Sequence, residues 1–189
     1  MPLGSLASLW HNWIIKFLVA NFAAVVGTDN KAMEDKIKEY AKRYVDGQVV
    51  TILPVIGEKM AVVNRQYRKT TGSWMYELPS GKMEPDESPR PAALRELEEE
   101  TGYSAGRMKL LFSAYLVSGI NTRKSYFYLA TNLKKGTPMR EPDELIKTKA
   151  MPLGRLFEMA RKGMIADSKS VACILYYKSF VQGRPSKSV

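Results

Sequence analysis

The sequence predicts an α+β protein, an α/β/α sandwich in which helices flank a mixed β-sheet. Strand-like and helical runs are mixed without regular βαβ alternation, and apolar and charged fractions of 45% and 25% are those of a globular protein. A length of 189 residues fits one domain of ordinary size, or one domain with an appendage. We predict an N-terminal helical extension over residues 1–46 and a single domain over residues 47–189.

The N-terminal region predicts two helices. Residues 5–26 begin amphipathic and become apolar almost all round, and the more charged stretch 31–45 places Met33 and Ile37 on its inner side. Polar residues such as Lys16 make the first helix a poor membrane span, and it lacks the pattern of a signal peptide. Its apolar face is therefore expected to pack against the domain or a partner subunit, or to contact a membrane surface.

The remaining elements follow in chain order. Two β-rich runs, 48–56 and 60–68, are separated by a short turn at Gly57 and predict a hairpin. A helix over 90–101 is opened by two prolines and closed by Gly102. Further strands are expected at 74–79, 108–117 and 125–131, a polar loop at 134–143, and helices at 153–162 and 168–181, the last capped by Asp167 or Ser168. Residues 145–151 receive no assignment.

Charge and side-chain inventory restrict the function. A net charge of +10 favours phosphates, nucleic acid or an anionic membrane surface as partners. Because no basic stripe interleaved with aromatic residues runs along the chain, we do not expect nucleic-acid binding. The single cysteine, Cys173, excludes an intramolecular disulfide and predicts a reducing compartment, the cytoplasm. The single histidine, His11, excludes histidine-based triads, so any metal must be held by oxygen.

The predicted helix 90–101 concentrates carboxylates on one face. Glu96, Glu99 and Glu100 are spaced i, i+3 and i+4, so their side chains share a face, and like charges at this spacing repel. Arg95 is one group that can relieve the repulsion. A divalent cation is the stronger one, because Mg²⁺ takes oxygen ligands and is commonly held by a few carboxylates plus substrate phosphates.

The spacing from Gly81 through Glu87 and Arg95 to Gly102 resembles the Nudix box, the signature of the Nudix hydrolases. Seven fixed positions would coincide by chance on the order of 10⁻⁸ times per starting point. Tyr103 stands where the box usually ends in an aliphatic residue. The stretches "NRQYR" (64–68) and "ELPSGKME" (77–84), and the tail from residue 151, are similar to the ADP-ribose pyrophosphatase branch of that family.

The resemblance implies a Nudix fold and assigns roles to residues. Mg²⁺ or Mn²⁺ would be bound by Glu96, Glu99, Glu100 and a backbone carbonyl of Ser80 or Gly81. Arg95 and Glu87 would orient the glutamates. Substrate contacts are expected from Arg68, Arg65 and Trp74, with Tyr67 and Tyr76 as further stacking candidates. Glu144 is expected as the general base, with Glu141 next and Asp143 in the same loop.

The implied activity is hydrolysis of the pyrophosphate bond of ADP-ribose or a related nucleoside diphosphate derivative, by a probable homodimer. No proline lies between Tyr103 and Pro138, where the branch usually carries one; Ser118 stands at that place. Nucleotide sugars, dinucleoside polyphosphates, NADH, coenzyme A and RNA 5′ ends therefore stay open as substrates. A noncatalytic nucleotide sensor is the alternative from another functional class.

Overall fold

The computed structural model describes Lys31, Asp35 and residues 47–116, 123–142 and 144–183. The predicted helix 5–26 lies outside these residues, as does the predicted helix 31–45 apart from Lys31 and Asp35, which are helical. Ser118 and Asp143 are also outside them. The described residues from Gln48 onward belong to one compact unit.

This unit contains a seven-stranded mixed sheet. The main strand order is β3-β2-β1-β6-β5, with β4 paired to β1 and β7 paired to β2. β1 and β6 run parallel, whereas the other pairs are antiparallel. The strands are β1 (Val49–Ile56), β2 (Met60–Arg68), β3 (Ser73–Glu77), β4 (Ser80–Lys82), β5 (Tyr103–Tyr115), β6 (Lys124–Lys135) and β7 (Ile146–Pro152).

Helices cover both faces of the sheet, so the predicted α/β/α sandwich is confirmed. The helices in the described part of the domain are α1 (Pro89–Thr101), α2 (Leu153–Arg161) and α3 (Ser168–Phe180). Leu97 of α1 packs in one apolar cluster with Ile52 of β1. Leu156 of α2 and Ile174 of α3 pack in a second cluster with Leu53 of β1. Successive residues of β1 point to opposite faces, which is why its near-continuous apolar run serves both clusters.

Local signals placed several elements correctly. The hairpin between β1 and β2 pairs Ile56 with Met60 around the turn that includes Gly57, whose φ of 53° suits glycine. α1 starts one residue before the predicted position, and Gly102 ends it in the left-handed region with φ of 74°. Asp167 caps α3 by accepting a hydrogen bond from the backbone N–H of Ser170 at 2.9 Å.

Other boundaries were wrong, and pairing explains the differences. β5 begins at Tyr103 rather than 108, and β6 continues to Lys135, into the predicted polar loop, because the two strands pair along this whole length. β3 ends at Glu77 rather than 79. β4, with three residues, and β7, with exposed lysines, were not predicted as strands. β7 is a strand because it pairs with β2 from Met60 to Gln66.

Candidate active site

Helix α1 presents its carboxylates along the edge of its buried stripe. Ala92, Ala93 and Leu97 are fully buried against the sheet, and this packing fixes the rotation of the helix. Glu96 then lies beside Gly81 of β4, and Glu100 lies beside Ser80 of the same strand. Glu98 is exposed on the outer side. The predicted common face of the glutamates therefore exists at the boundary between α1 and β4.

Arg95 joins several of these carboxylates through one guanidinium. Its Nη1 donates to Glu96 Oε1 and to Glu99 Oε2, both at 2.9 Å. Its Nε and Nη2 donate to the two oxygens of Glu87 at 3.1 and 2.9 Å, and Nη2 also donates to the carbonyl oxygen of Lys82 at 2.9 Å. The hydrogen bond from Arg95 lowers the pKa of Glu87 below its usual value. Arg95 thus ties the loop before α1 to two glutamates of the helix.

Glu96 is packed closely against Gly81. A Cβ atom on Gly81 would lie 2.1 Å from the carboxylate carbon of Glu96. This contact requires glycine because no side chain fits there. Burial raises the pKa of Glu96 to about 7, against the opposing influence of Arg95 and with smaller contributions from the charges of Glu99 and Glu144.

Glu100 is the most deeply buried carboxyl group of the site, with 3% of the residue exposed. Its Oε2 accepts hydrogen bonds from Asn64 Nδ2 at 2.7 Å and from the backbone N–H of Ser80 at 3.2 Å. Burial, followed by the charges of Glu96 and Glu144, raises the pKa of Glu100 well above its usual value. Two carboxyl groups that repel each other are therefore held together out of water.

The main chain at Glu100 is held by residues that sequence reasoning missed. Arg140 Nε donates to the carbonyl oxygen of Glu100 at 2.8 Å, and its Nη2 donates to Thr148 Oγ1 at 2.9 Å. The Thr148 hydroxyl donates to Asn64 Oδ1 at 2.7 Å. The one sequence feature that pointed to these partners is Asn64, an asparagine within an apolar strand, because a buried side-chain amide must form hydrogen bonds.

Arg68 is brought to the same side of the sheet. It forms a two-point pair with buried Glu77, in which its Nε donates to Glu77 Oε1 at 2.8 Å. This hydrogen bond raises the pKa of Arg68, and the charge of Glu100 contributes as well. Arg68 is therefore a fixed positive charge close enough to Glu100 for the two to interact.

Arg65 and Trp74 lie together but are not brought to the glutamates. Alternation along β2 puts Arg65 on the face opposite Asn64 and Arg68, and Arg65 pairs with Tyr76 across β3. Trp74 pairs with Tyr67, and their ring centroids are 5.8 Å apart. The residues predicted to bind substrate therefore divide between the two faces of the sheet.

Glu144 and Glu141 lie in the segment before β7. The charge of Glu144 contributes to the raised pKa values of both Glu96 and Glu100, so Glu144 lies near them. Glu141 is exposed, and its carbonyl oxygen accepts a hydrogen bond from the backbone N–H of Glu144 at 3.0 Å. Asp143 is outside the described residues. Of the two described candidates, Glu144 is the one that interacts with the carboxylate site.

The carboxylate oxygens of Glu96, Glu99 and Glu100 are the kind of ligand that a hard cation such as Mg²⁺ prefers. In the structure, however, these three side chains do not converge on one point. Within the described ranges, no three Asp, Glu, His or Cys side chains converge as metal ligands. Glu96 and Glu99 instead share the guanidinium of Arg95. Glu96 and Glu100 nevertheless form an adjacent, oxygen-only pair whose pKa values are raised first by burial. Mg²⁺ needs only one or two carboxylates and retains water, so these residues fit such an ion.

Comparison with known proteins agrees with the box and the fold. The family model described as "NUDIX domain" matches residues 46–172. The chain therefore belongs to the Nudix family.

Relatives give the class of enzyme. The chain is 33% identical to the methanol dehydrogenase activator of Bacillus methanolicus and 31% identical to the ADP-ribose pyrophosphatase of Bacillus subtilis, each over 67% of this chain and 70% of the relative. It is 31% identical to the GDP-mannose pyrophosphatase of Salmonella arizonae over 74% of this chain and 78% of the relative. This protein is a Nudix pyrophosphohydrolase, similar to the ADP-ribose pyrophosphatases.

A solved structure supports the fold independently. The crystal structure of an ADP compounds hydrolase superposes with a TM-score of 0.65, covering 75% of this chain and 76% of the other at 22% identity. At that identity the similarity concerns the fold. It confirms the predicted mixed sheet flanked by helices.

Proposed function

We propose that this protein hydrolyses the pyrophosphate bond of ADP-ribose or a related nucleoside diphosphate derivative. The products would be AMP, or another nucleoside monophosphate, and a second phosphate ester. The observation that carries this proposal is the pair of half-buried Glu96 and buried Glu100 at the edge of α1. Arg95 holds Glu96, the backbone N–H of Ser80 holds Glu100, and Gly81 leaves room for Glu96. Acidic groups kept out of water at a cost are typical of a catalytic site.

The charges around this pair suit a diphosphate. Arg68 is positive, is held by Glu77 and interacts with Glu100, which supports the proposal that it binds a phosphate oxygen of the substrate. Glu144 interacts with both buried glutamates and is the proposed general base, taking a proton from the attacking water. The water oxygen bonds to one phosphorus, the bridging P–O bond breaks, and the second phosphate leaves with that oxygen.

A divalent ion, Mg²⁺ or Mn²⁺, would be held by Glu96 and Glu100 with Glu99 and a backbone oxygen of Ser80 or Gly81. When bound, it would neutralise phosphate charge and make a bound water more acidic. The role of this chain is to keep the two carboxylates adjacent and dehydrated. Arg95 holds Glu96 and Glu99 from one side, and Asn64 with Ser80 positions Glu100 from the other.

The nucleoside is the open part of the proposal. The similarity to an ADP-ribose pyrophosphatase favours ADP-ribose, and that to GDP-mannose pyrophosphatases favours a nucleotide sugar. The full chain should be incubated with Mg²⁺ or Mn²⁺ and a panel of ADP-ribose, GDP-mannose, NADH, coenzyme A and a dinucleoside polyphosphate. Release of AMP from ADP-ribose is the expected result. Cleavage of no member would contradict the proposal and favour a noncatalytic sensor.

The choice of base has its own test. Glu144→Gln should lower kcat by about 10²- to 10⁴-fold, because proton removal from water would lose its acceptor. Glu141→Gln, three positions earlier and exposed, is the matched control and should change kcat less than about threefold. Equal loss in both variants, or none in either, would remove Glu144 from this role.

The predictions of a homodimer, a cytoplasmic location and membrane-surface contact through residues 5–26 remain proposals. The buried free thiol of Cys173 supports a reducing compartment. Among the described residues, no helix has the length and apolar character needed to cross a membrane. Size-exclusion chromatography with light scattering would give the mass in solution.

A further inference from the structure

The face of β2, β3 and β7 that points away from Asn64 and Arg68 carries a cluster of cations and aromatic rings. Alternation and strand register bring its members together from three strands. Arg65 is central, with Tyr76 beside it on β3 and Lys147 beside it on β7. We call the following residues the aromatic–basic cluster: Arg65, Trp74, Tyr76, Lys147 and Lys149.

Each ring of the cluster is contacted by two cations. Lys147 Nζ lies 5.1 Å and Arg65 Cζ 5.6 Å from the centre of the Trp74 ring. Lys149 Nζ lies 4.7 Å and Arg65 Cζ 5.9 Å from the centre of the Tyr76 ring. Lys149 also donates a hydrogen bond to Tyr76 Oη at 2.9 Å. Rings and cations therefore alternate across the sheet.

Among the described residues, no carboxylate forms a salt bridge with a cation of the cluster, whether Arg65, Lys147 or Lys149. The pKa of Tyr76 is lowered, first by the hydrogen bond from Lys149 and then by the charges of Lys149, Arg65 and Arg155. Trp74 is 37% exposed. Tyr76 is half-buried. An exposed, positively charged face with one exposed ring is complementary to a ligand that carries both anions and a flat aromatic group.

We propose that the aromatic–basic cluster binds single-stranded nucleic acid. A base would stack on the exposed ring of Trp74, displacing one of the cations that lie over it, and backbone phosphates would contact Arg65, Lys147 and Lys149. The two lysines are two residues apart on β7, about 6.6 Å along the strand, so a ligand that meets both is extended and multiply charged. Two-fold pairing of this face with itself would bring like charges together, which disfavours the same cluster of a second copy as the occupant. The inference does not rest on the proposed hydrolysis.

Binding should be measured by fluorescence anisotropy of labelled RNA and DNA single strands of about twelve nucleotides, using the full chain. The affinity should fall as salt is raised, with a slope of about −0.7 in log–log form for each phosphate neutralised. Lys147→Glu with Lys149→Glu should weaken binding at least tenfold at low salt and reduce the slope. Trp74→Leu should weaken binding about fivefold to a hundredfold per lost stack and leave the slope unchanged.

A control variant with the same change in net charge distinguishes binding by the cluster from attraction to the positive charge of the whole chain. Lys134→Glu with Lys135→Glu alters two exposed lysines at the end of β6 and should change affinity less than the cluster pair. Equal weakening by both pairs would overturn the proposal. If the charge-reversal variants do not fold, Lys147→Gln with Lys149→Gln should be used in their place, with Lys134→Gln and Lys135→Gln as the control. Thermal melting would check that these variants are folded.

Two other experimental results would also overturn the proposal that the cluster binds nucleic acid. Cluster variants that raise KM for the small diphosphate substrate while leaving oligonucleotide binding unchanged would assign the cluster to that substrate. Binding to vesicles containing anionic lipid without binding to oligonucleotides would assign it to a membrane surface. Oligonucleotide binding is measured without turnover. It therefore tests the cluster even if the protein hydrolyses none of the diphosphate substrates, so failure of the proposed hydrolysis and failure of nucleic-acid binding are distinguishable.

Discussion

The two faces of strand β2 carry opposite chemistry on neighbouring residues. Asn64 points toward the buried carboxyl group of Glu100, whereas Arg65, the next residue, points to the exposed aromatic–basic cluster. On the first face, charge is buried and each group is held by specific partners. On the second face, cations lie over rings without salt bridges among the described residues.

The difference shows how burial determines the effect of charge. Burial raises the pKa of Glu96 to about 7 and raises that of Glu100 well above its usual value, despite nearby hydrogen-bond donors. The exposed cations of the opposite face interact through water, which screens them. We therefore expect changes on the glutamate face to have large effects and changes on the cluster face to have small effects on the folded enzyme.

The largest expected effect is the loss of Glu100. Glu100→Gln keeps the shape but removes the negative charge, so kcat for hydrolysis should fall by about 10²- to 10³-fold or more, about 3 to 4 kcal/mol. Glu98→Gln, on the exposed side of the same helix, is the matched control and should stay near the activity of the unaltered chain. Equal activity of the two variants would contradict the assignment of Glu100.

The next effect is a dependence of stability on pH in the absence of divalent metal. The pKa of Glu96 is raised from a usual value of 4.5 to about 7, so the folded chain keeps a proton that the unfolded chain releases. The stability that this proton provides is present below pH 4.5 and is lost as pH rises through about 7. The loss should approach about 3 kcal/mol.

Chemical denaturation at several pH values would measure this loss. Glu96→Gln should reduce the pH dependence, because one of the two carboxyl groups with a raised pKa is gone while Glu100 remains. Mg²⁺ should restore more stability at pH 8 than at pH 5, since protons compete with the metal for the carboxylates. A stability that rises through this range in the unaltered chain, and equally in Glu96→Gln, would show that Glu96 is not buried in this way.

A smaller loss is expected at Gly81. In Gly81→Ala the new Cβ would lie 2.1 Å from the carboxylate carbon of Glu96, so Glu96 must move and kcat should fall roughly tenfold to a hundredfold. Gly154→Ala is the control, because nothing lies within 4 Å of a Cβ at that position. An active Gly81→Ala enzyme would show that the contact between Gly81 and Glu96 is unnecessary for catalysis.

The smallest effect is expected on the cluster face. Lys147→Gln removes one cation from the Trp74 ring and should change the free energy of unfolding by less than about 1 kcal/mol. Thermal melting alongside Arg95→Gln makes the contrast direct, because Arg95 holds three carboxylates and its loss should cost more. If Lys147→Gln destabilised the protein as strongly, the two faces would not differ as described.

Much of the glutamate face was predictable because its information is local. The spacing of Glu96, Glu99 and Glu100 along one helix defines a shared face without knowledge of other elements. The ends of α1 follow from Pro89 and Gly102. The sandwich class and the hairpin of β1 and β2 likewise followed from periodicity and a short turn.

The supporting groups around that face were not predictable in the same way. Thr148 reaches Asn64 because β7 pairs with β2, and this hydrogen bond spans 84 positions. Arg140, in the segment before β7, reaches the carbonyl oxygen of Glu100 across 40 positions. No local pattern marked β7 as a strand, because its alternating lysines are also compatible with a solvated loop. Pairing with β2 overrides that weak local preference.

The sequence by itself therefore determined the class of chemistry, since an acidic helical face and its glycine and arginine neighbours are set by distances along one chain segment. Only the tertiary structure decided which charges meet. Arg65 and Arg68 belong to one short motif, yet alternation along β2 sends them to opposite faces of the sheet. The aromatic–basic cluster is invisible along the chain because strand register, rather than sequence order, places Lys147 beside Trp74.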